Sequence, residues 1–497
     1  MEAISAVTKK SDALTRSAVW GALWQLVGAG WQTAIQLGAS MVLARILCPA
    51  DFGIMGMAII VQGIVKQSGD LSVATGVIAK GDVTQEDLST AFWTSLAIRT
   101  LLFFITFAIA HHAAIFYESP EVKWVLRTIS FTFFFSAFSV IPAALLKKNL
   151  RFGLSKMIEG SGFLLQSLLA ILFAVVFDMH YWALVISLLI ANFTQTCIIC
   201  FCARWLPSFV FSRSSFRYMF RYGINGMGSS LMGYFSQNLD YLIVGKLLGA
   251  SSLGIYEFAY RIPYIAFNRV ATPISTVLFP ILSQVQNDNE RLGRGYIKVA
   301  KFIAIILFPV LGGLAAVANQ AVAVLWGDQW LAAIIPLQIL CMRCAIQSVT
   351  KPISVIFLCK NRPDLPLKIS FFSFIFTFAA VGGLGFVYGL VGVAAGMLVA
   401  TIPNVVPIWI AFRIINIPLS SLFAALMPPT ICAATSTFLT LVTVHLLILK
   451  GNSDYIILAI SILVGVITYA TTMWFFFRET RLEVFKACST VISRKSS

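Results

Sequence analysis

Charge is scarce in this chain. Only 11% of its 497 residues are Asp, Glu, Lys or Arg, where a soluble protein carries about a quarter. With 59% hydrophobic residues and a mean hydropathy of +0.88, an ordinary water-soluble fold is excluded. Long polar connections are missing too. None exceeds roughly fifteen residues, which leaves no room for a soluble catalytic domain. No GxxxxGK[ST] phosphate loop occurs, so the chain has no ATP-hydrolysing site of that kind. The histidines, His111, His112, His180 and His445, show no metal-ligand spacing. Two CxxC pairs, Cys197 with Cys200 and Cys341 with Cys344, fall inside apolar runs and lack a second ligand pair, so they read as small core residues.

Apolar runs fill the chain instead. Each is long enough to cross a hydrocarbon core of ~30 Å as a helix. Fourteen such spans are expected between residues 17 and 477. The first, 17–47, follows Lys9, Lys10 and Arg16 and is too long for the apolar region of a signal peptide, so it is expected to be transmembrane. The formal net charge is +16, but the basic residues gather in alternate connections. Examples are Lys147, Lys148 and Arg151; Arg204, Arg213 and Arg217; Arg291 and Arg294; and Lys360 and Arg362. That is the positive-inside pattern. It predicts cytoplasmic N- and C-termini and argues against nucleic acid as a partner.

One helix-turn-helix is written twice. VLARILCPADFGIMGMA (residues 42–58) and IVGKLLGASSLGIYEFA (243–259) align at an offset of 201 residues, pairing Gly53 with Gly254, Arg45 with Lys246 and Ile54 with Ile255. The first copy joins spans 1 and 2, the second joins spans 7 (216–248) and 8 (252–286). Six spans lie between the copies, an even number, so the repeated halves have the same orientation, as in parallel-repeat carriers. The fold expected is an all-α polytopic membrane protein of about 14 transmembrane helices: two six-helix bundles, 1–210 and 211–415, and a third region, 416–497, with two more helices and a basic cytoplasmic tail. Pro263, Pro273 and Pro280 make span 8 the first choice for a bending element, ahead of span 10 with Pro336 and Pro352 and span 12 with Pro403 and Pro407.

Charges inside spans are the strongest pointers to a site, because placing one at mid-bilayer costs about 2.5–3.5 kcal/mol on insertion scales. Lys66 and Asp70, and Glu257 and Arg261, are spaced i,i+4, so each pair shares a helix face. Each pair also suits simple mutual neutralisation. Arg99, Arg269 and Arg343 have no such local partner. Together the cations suggest a basic cavity whose natural guest is an anion, with Lys66, Arg99, Arg261, Arg269 and Arg343 as binding residues. Packing or snorkelling competes with that role for Arg99, Arg127 and Arg343. Arg45 and Lys246, at span ends, suit headgroup contact.

These residues carry a resemblance. VLARILCPADFGIMGMA, DVTQEDLSTAFW (82–93), IVGKLLGASSLGIY and VLFPILSQVQNDNERLGRGY (277–296) resemble the signatures of bacterial Wzx-type polysaccharide transporters, within the multidrug/oligosaccharidyl-lipid/polysaccharide flippase superfamily. Cys48 and Gln284 depart from it, standing where a polar residue and an arginine are usual. The resemblance implies two six-helix bundles around a central cavity plus two trailing helices. It further implies a flippase, not an enzyme, that moves undecaprenyl-diphosphate-linked oligosaccharide repeat units across the bacterial inner membrane by alternating access. The products would be O-antigen, capsule or exopolysaccharide, and the partner proteins a polysaccharide polymerase and a chain-length regulator. No cofactor is expected; Asp70 and Glu257 are the candidates for a coupling proton or Na⁺. Three rival readings are a multidrug antiporter on the same fold, a membrane-bound polymerase or ligase, and a non-transporting scaffold. The mostly basic candidate set opposes the first. The short loops and the duplication oppose the second, and only transport-silent charge substitutions would favour the third.

Overall fold

The computed structural model of the protein describes residues 30–69, 83–149, 151–362 and 364–476. Among these residues the regular structure is helical throughout. In chain order the helices are α1 (30–46), α2 (Pro49–Gly69), α3 (Gln85–Tyr117), α4 (Pro120–Ile129), α5 (Phe131–Lys148), α6 (Phe152–Val175), α7 (Tyr181–Ala203) and α8 (Arg213–Ser283). Then come α9 (Asn289–Ala316), α10 (Ala318–Leu325), α11 (Ile334–Thr350), α12 (Ser354–Cys359), α13 (Asp364–Val399), α14 (Val405–Ile414), α15 (Ser420–Leu449) and α16 (Asp454–Phe476).

Eleven stretches among the described residues are long and apolar enough to cross a membrane. Two of them, Ser230–Ser275 and Lys368–Ile414, run to 46 and 47 residues. A straight helix of that length would measure about 70 Å, more than twice the hydrocarbon core. Each contains one glycine outside helical geometry: Gly249 (φ 79°, ψ −176°) in α8 and Gly389 (φ 59°, ψ −137°) in α13. Both fall in the gaps that hydropathy leaves between spans. Only glycine enters such backbone regions at little cost.

Local sequence explains the other boundaries. Thr84 caps α3 in a complete capping box with Asp87, and Glu118 ends it in the left-handed region (φ 55°). Asp288 caps α9, accepting from the Arg291 amide at 3.0 Å. The prolines leave different local marks. Span 8 keeps helical geometry through Pro263, Pro273 and Pro280, whereas spans 10 and 12 tighten into 3₁₀ turns, Lys351–Ile353 and Ile402–Asn404, at Pro352 and Pro403. A missing N–H bends a helix only where nothing else holds the backbone.

The chain divides into two compact units at Gly254/Ile255. In the first, Leu43 of α1 and Leu47 just after it pack with Ala170 and Ala174 of α6 and Ala183 of α7, and Phe92 of α3 packs with Ile141 of α5. In the second, Tyr296 of α9 anchors a core with Val349, Ile356, Phe412 and Leu422. Phe371, Phe372, Ile375 and Phe378 on α13 are all more than half exposed, which suits a face met by lipid rather than water.

Candidate functional site

The repeated turns meet backbone against backbone in the first unit. A Cβ on Gly53 would run into the carbonyl oxygen of Ala250, and one on Gly254 would run into the carbonyl oxygen of Pro49. Pro49 and Ala250 are themselves equivalent through the repeat, so the contact is reciprocal, as a two-fold relation requires. Lipid tails compete fully with apolar side chains, so membrane helices rely on such small-residue approaches to hold together. Beyond the turn, Gly63 of α2 makes room for the Tyr234 ring of α8, whose hydroxyl donates to the Ile60 carbonyl at 3.3 Å.

Lys66 lies one turn further along α2 and is exposed. It stands seventeen residues from Pro49, about 26 Å along the helix axis. Asp70, its expected partner, lies outside the described residues. Arg99 on α3 is partly buried and donates from Nη1 to Ser136 Oγ on α5 at 2.8 Å. Arg127 rests over the rings of Phe107 (4.6 Å) and Trp124 (5.4 Å). Lys246 binds Glu118 at 2.7 Å and lies 5.6 Å from the Phe116 ring, so it closes a loop rather than reaching for headgroups alone. The ammonium beside Glu118 holds that carboxyl below the usual carboxylate range.

In the second unit Glu257 and Arg261 form an ion pair within α8. Arg269, two turns on, is exposed. Arg343 on α11 is only 7% exposed and its guanidinium sits 5.3 Å from the centre of the Tyr260 ring. Tyr256, Tyr260, Tyr264 and Phe267 form an aromatic row along this face, with successive centroids 6.2, 5.0 and 6.0 Å apart. The structure thus separates the predicted cations. Lys66 and Arg269 are open, Arg261 is paired, and Arg99 and Arg343 are built into packing. The cysteine pairs follow expectation in part: Cys341 and Cys344 are buried, Cys197 is exposed.

Sequence reasoning missed two features. One is Lys351, in the 3₁₀ turn of span 10, whose Nζ lies 4.8 Å from the Phe267 ring centre. A Lys-Pro pair inside an apolar run was its only signal. The other is what the DVTQEDLSTAFW segment does. Its side chains hold the connection that leads into α8. Gln85 Nε2 donates to the Leu206 carbonyl (2.9 Å) and Trp93 Nε1 to that of Ser208 (3.0 Å). Thr90 Oγ1 accepts from the Ser212 amide (2.9 Å), and Asp87 Oδ1 accepts from Ser215 Oγ (2.6 Å). Phe209 stacks on Trp93 at 5.3 Å. This segment is a clamp on the linker, which no periodicity could reveal.

Comparison with known proteins agrees with this architecture. A protein-family model described as "Polysaccharide biosynthesis protein" matches residues 42–335. The lipopolysaccharide biosynthesis protein WzxC of Escherichia coli is 28% identical over 405 residues, covering 79% of this chain and 80% of that protein. The teichuronic acid biosynthesis protein TuaB of Bacillus subtilis is 25% identical over 436 residues, 85% of this chain and 88% of its own length. Among solved structures, the lipid II flippase MurJ in an inward closed conformation superposes with a TM-score of 0.75 at 14% identity, covering 93% of this chain and 99% of that one. At that identity the likeness shows the fold.

Proposed function

Since the chain belongs to the polysaccharide biosynthesis protein family, we propose that it is a flippase for lipid-linked oligosaccharides, serving surface polysaccharide assembly. The observation that carries this reading is the exposure of basic side chains, Lys66 and Arg269, within membrane-spanning helices. A cation in a span is costly unless it meets an anion or water, and a lipid diphosphate supplies two anionic groups at the level of the headgroups. The fold of a lipid II flippase and the short loops fit transport rather than catalysis.

In this reading the membrane is the bacterial inner membrane and both termini are cytoplasmic. The eleven candidate spans become fourteen when Gly249 and Gly389 each divide one, and when 30–46 is taken as the end of a first span. Two repeated bundles alternate in access, and the substrate is an oligosaccharide on undecaprenyl diphosphate. Lys66 in the first unit and Arg269 in the second are each a cation available to a phosphate group. Arg99 and Arg343 position neighbours, Ser136 and Tyr260, and Arg261 acts with Glu257 as a pair. Asp70 and Glu257 are the groups to test for coupling to a proton or Na⁺.

Export in cells carrying Lys66→Gln, Arg269→Gln or Arg343→Gln tests this at matched protein levels. Surface polysaccharide and lipid-linked intermediate are measured together. Expected are loss of polymer with intermediate held in the inner leaflet for the first two, each by tenfold or more, as for loss of a charge-assisted contact. Normal export from both refutes the anion-binding assignment. Intermediate that reaches the outer leaflet yet stays unpolymerised points to a polymerase instead.

A further inference from the structure

Span 10 tightens into a 3₁₀ turn at a lysine while its backbone stays right-handed helical. α11 ends at Thr350, a 3₁₀ turn covers Lys351–Ile353, and α12 begins at Ser354. Pro352 has no N–H to give the Ser348 carbonyl. The Val349 carbonyl is satisfied from outside, by the buried hydroxyl of Tyr296 at 2.8 Å. That bond sits in the unit's principal core, beside Ile353 and Val355. The turn is therefore built into the packing. A stretch of 3₁₀ geometry inside a longer helix often marks a functional site.

The position of the contact along its two helices follows from residue spacing. Phe267 lies eighteen residues from Gly249 and Lys351 seventeen from Ile334, which is about 27 and 26 Å along the respective axes. The cation–ring contact of 4.8 Å joins these two levels. Phe267 is only 2% exposed, whereas Lys351 is exposed between a buried Phe267 and a buried Pro352. The ring face attracts the ammonium, and a cation–ring contact leaves its three N–H donors without an ordinary hydrogen bond. Among the described residues no carboxylate or hydrogen-bond acceptor takes them.

We infer that Lys351 is a binding residue for a lipid phosphate, held ready at the 3₁₀ turn of span 10. The inference deepens the flippase reading and rests on it: the phosphate belongs to the transported polyprenyl diphosphate. An ordinary phospholipid headgroup offers the same chemistry, and the experiment separates the two sources.

The full chain is purified in lipid nanodiscs, and binding of added polyprenyl diphosphate is followed by its shift of the melting temperature. The same titration uses phosphatidylglycerol. For the wild type, a shift with polyprenyl diphosphate and none with phosphatidylglycerol is expected. Lys351→Gln should weaken the former about tenfold or more, while Lys351→Arg keeps most of it, and both variants melt as the wild type does without ligand. Unchanged affinity in Lys351→Gln, with a wild type that binds, overturns this inference and leaves the flippase reading standing. An equal Lys351-dependent shift with phosphatidylglycerol overturns it too, and makes the residue a bulk-lipid anchor. A wild type that does not bind polyprenyl diphosphate at all brings down both readings. Should Lys351→Gln melt early, Phe267→Leu decides: it removes the ring under the ammonium but keeps the charge, and must weaken binding by a smaller factor.

Discussion

The two copies of the repeated turn reach one backbone shape by different chemistry. In the first, Pro49 opens α2 at the position where a missing N–H costs nothing. Asp51, 5% exposed, takes the Cys48 amide at 3.0 Å, the Cys48 thiol at 3.1 Å and the Tyr181 amide at 3.1 Å. One carboxylate thus closes its own turn and ties α7 to it. In the second copy the residue equivalent to Cys48 is Gly249, and the residue equivalent to Asp51 is Ser252. Gly249 supplies a backbone angle of φ 79°, and among the described residues no side chain caps the turn. A duplicated motif keeps the contact its halves share, here Gly53 against Ala250 and Gly254 against Pro49, and lets the rest diverge. The shared part is steric and the divergent part is electrostatic.

Breaking the shared part should cost most. Gly53→Val and Gly254→Val each push a side chain into a backbone carbonyl, and no rotamer relieves that. Both are expected to destabilise by more than about 3 kcal/mol, above ordinary overpacking. By symmetry the two costs should be similar. The purified variants' melting temperatures, at one scan rate and in one detergent, would test this. A wild-type value for either variant would mean that the reciprocal contact does not hold the turns together.

Removing the divergent part from the first copy should cost less. Asp51→Ala loses a cap and strands the Tyr181 amide, worth about 2–3 kcal/mol together. Ser252→Ala in the second copy should change stability by no more than about 0.5 kcal/mol. If the two losses are equal, the turns are held alike and the contrast drawn from Asp51 fails.

How much of this was legible beforehand depends on the kind of signal. The eleven candidate spans among the described residues were, because hydropathy over about twenty residues overwhelms local noise. The turns at Gly249 and Gly389 were also legible as gaps between spans. The repeat could be aligned from Gly53 and Gly254, but not the fact that these glycines touch the opposite turn, since close approach leaves no periodic trace. The intramembrane cations could be named from the sequence, yet their fates could not. Arg343 went into packing over Tyr260, and Lys351 escaped notice because it lay near the end of an apolar run. The clamp of 84–93 on 205–215 joins residues more than a hundred positions apart, through side chains that look like ordinary helix-start polar residues.

A change confined to the backbone of the second turn sharpens the comparison furthest. Gly249→Ala asks an L residue to hold φ 79° with ψ −176°, a region reserved for glycine, at a cost of about 1–2 kcal/mol. No neighbour stands within 4 Å of a Cβ there, so strain in the backbone alone sets the penalty. Cys48→Gly is the matching change in the first copy. Cys48 is not among the described residues with positive φ, so glycine there relieves nothing and should cost only a few tenths of a kcal/mol at this capping position. Melting temperatures of the two variants should therefore differ, with Gly249→Ala the lower. If they coincide, the second turn is not held by its glycine, and the two copies are closer in mechanism than their capping chemistry indicates.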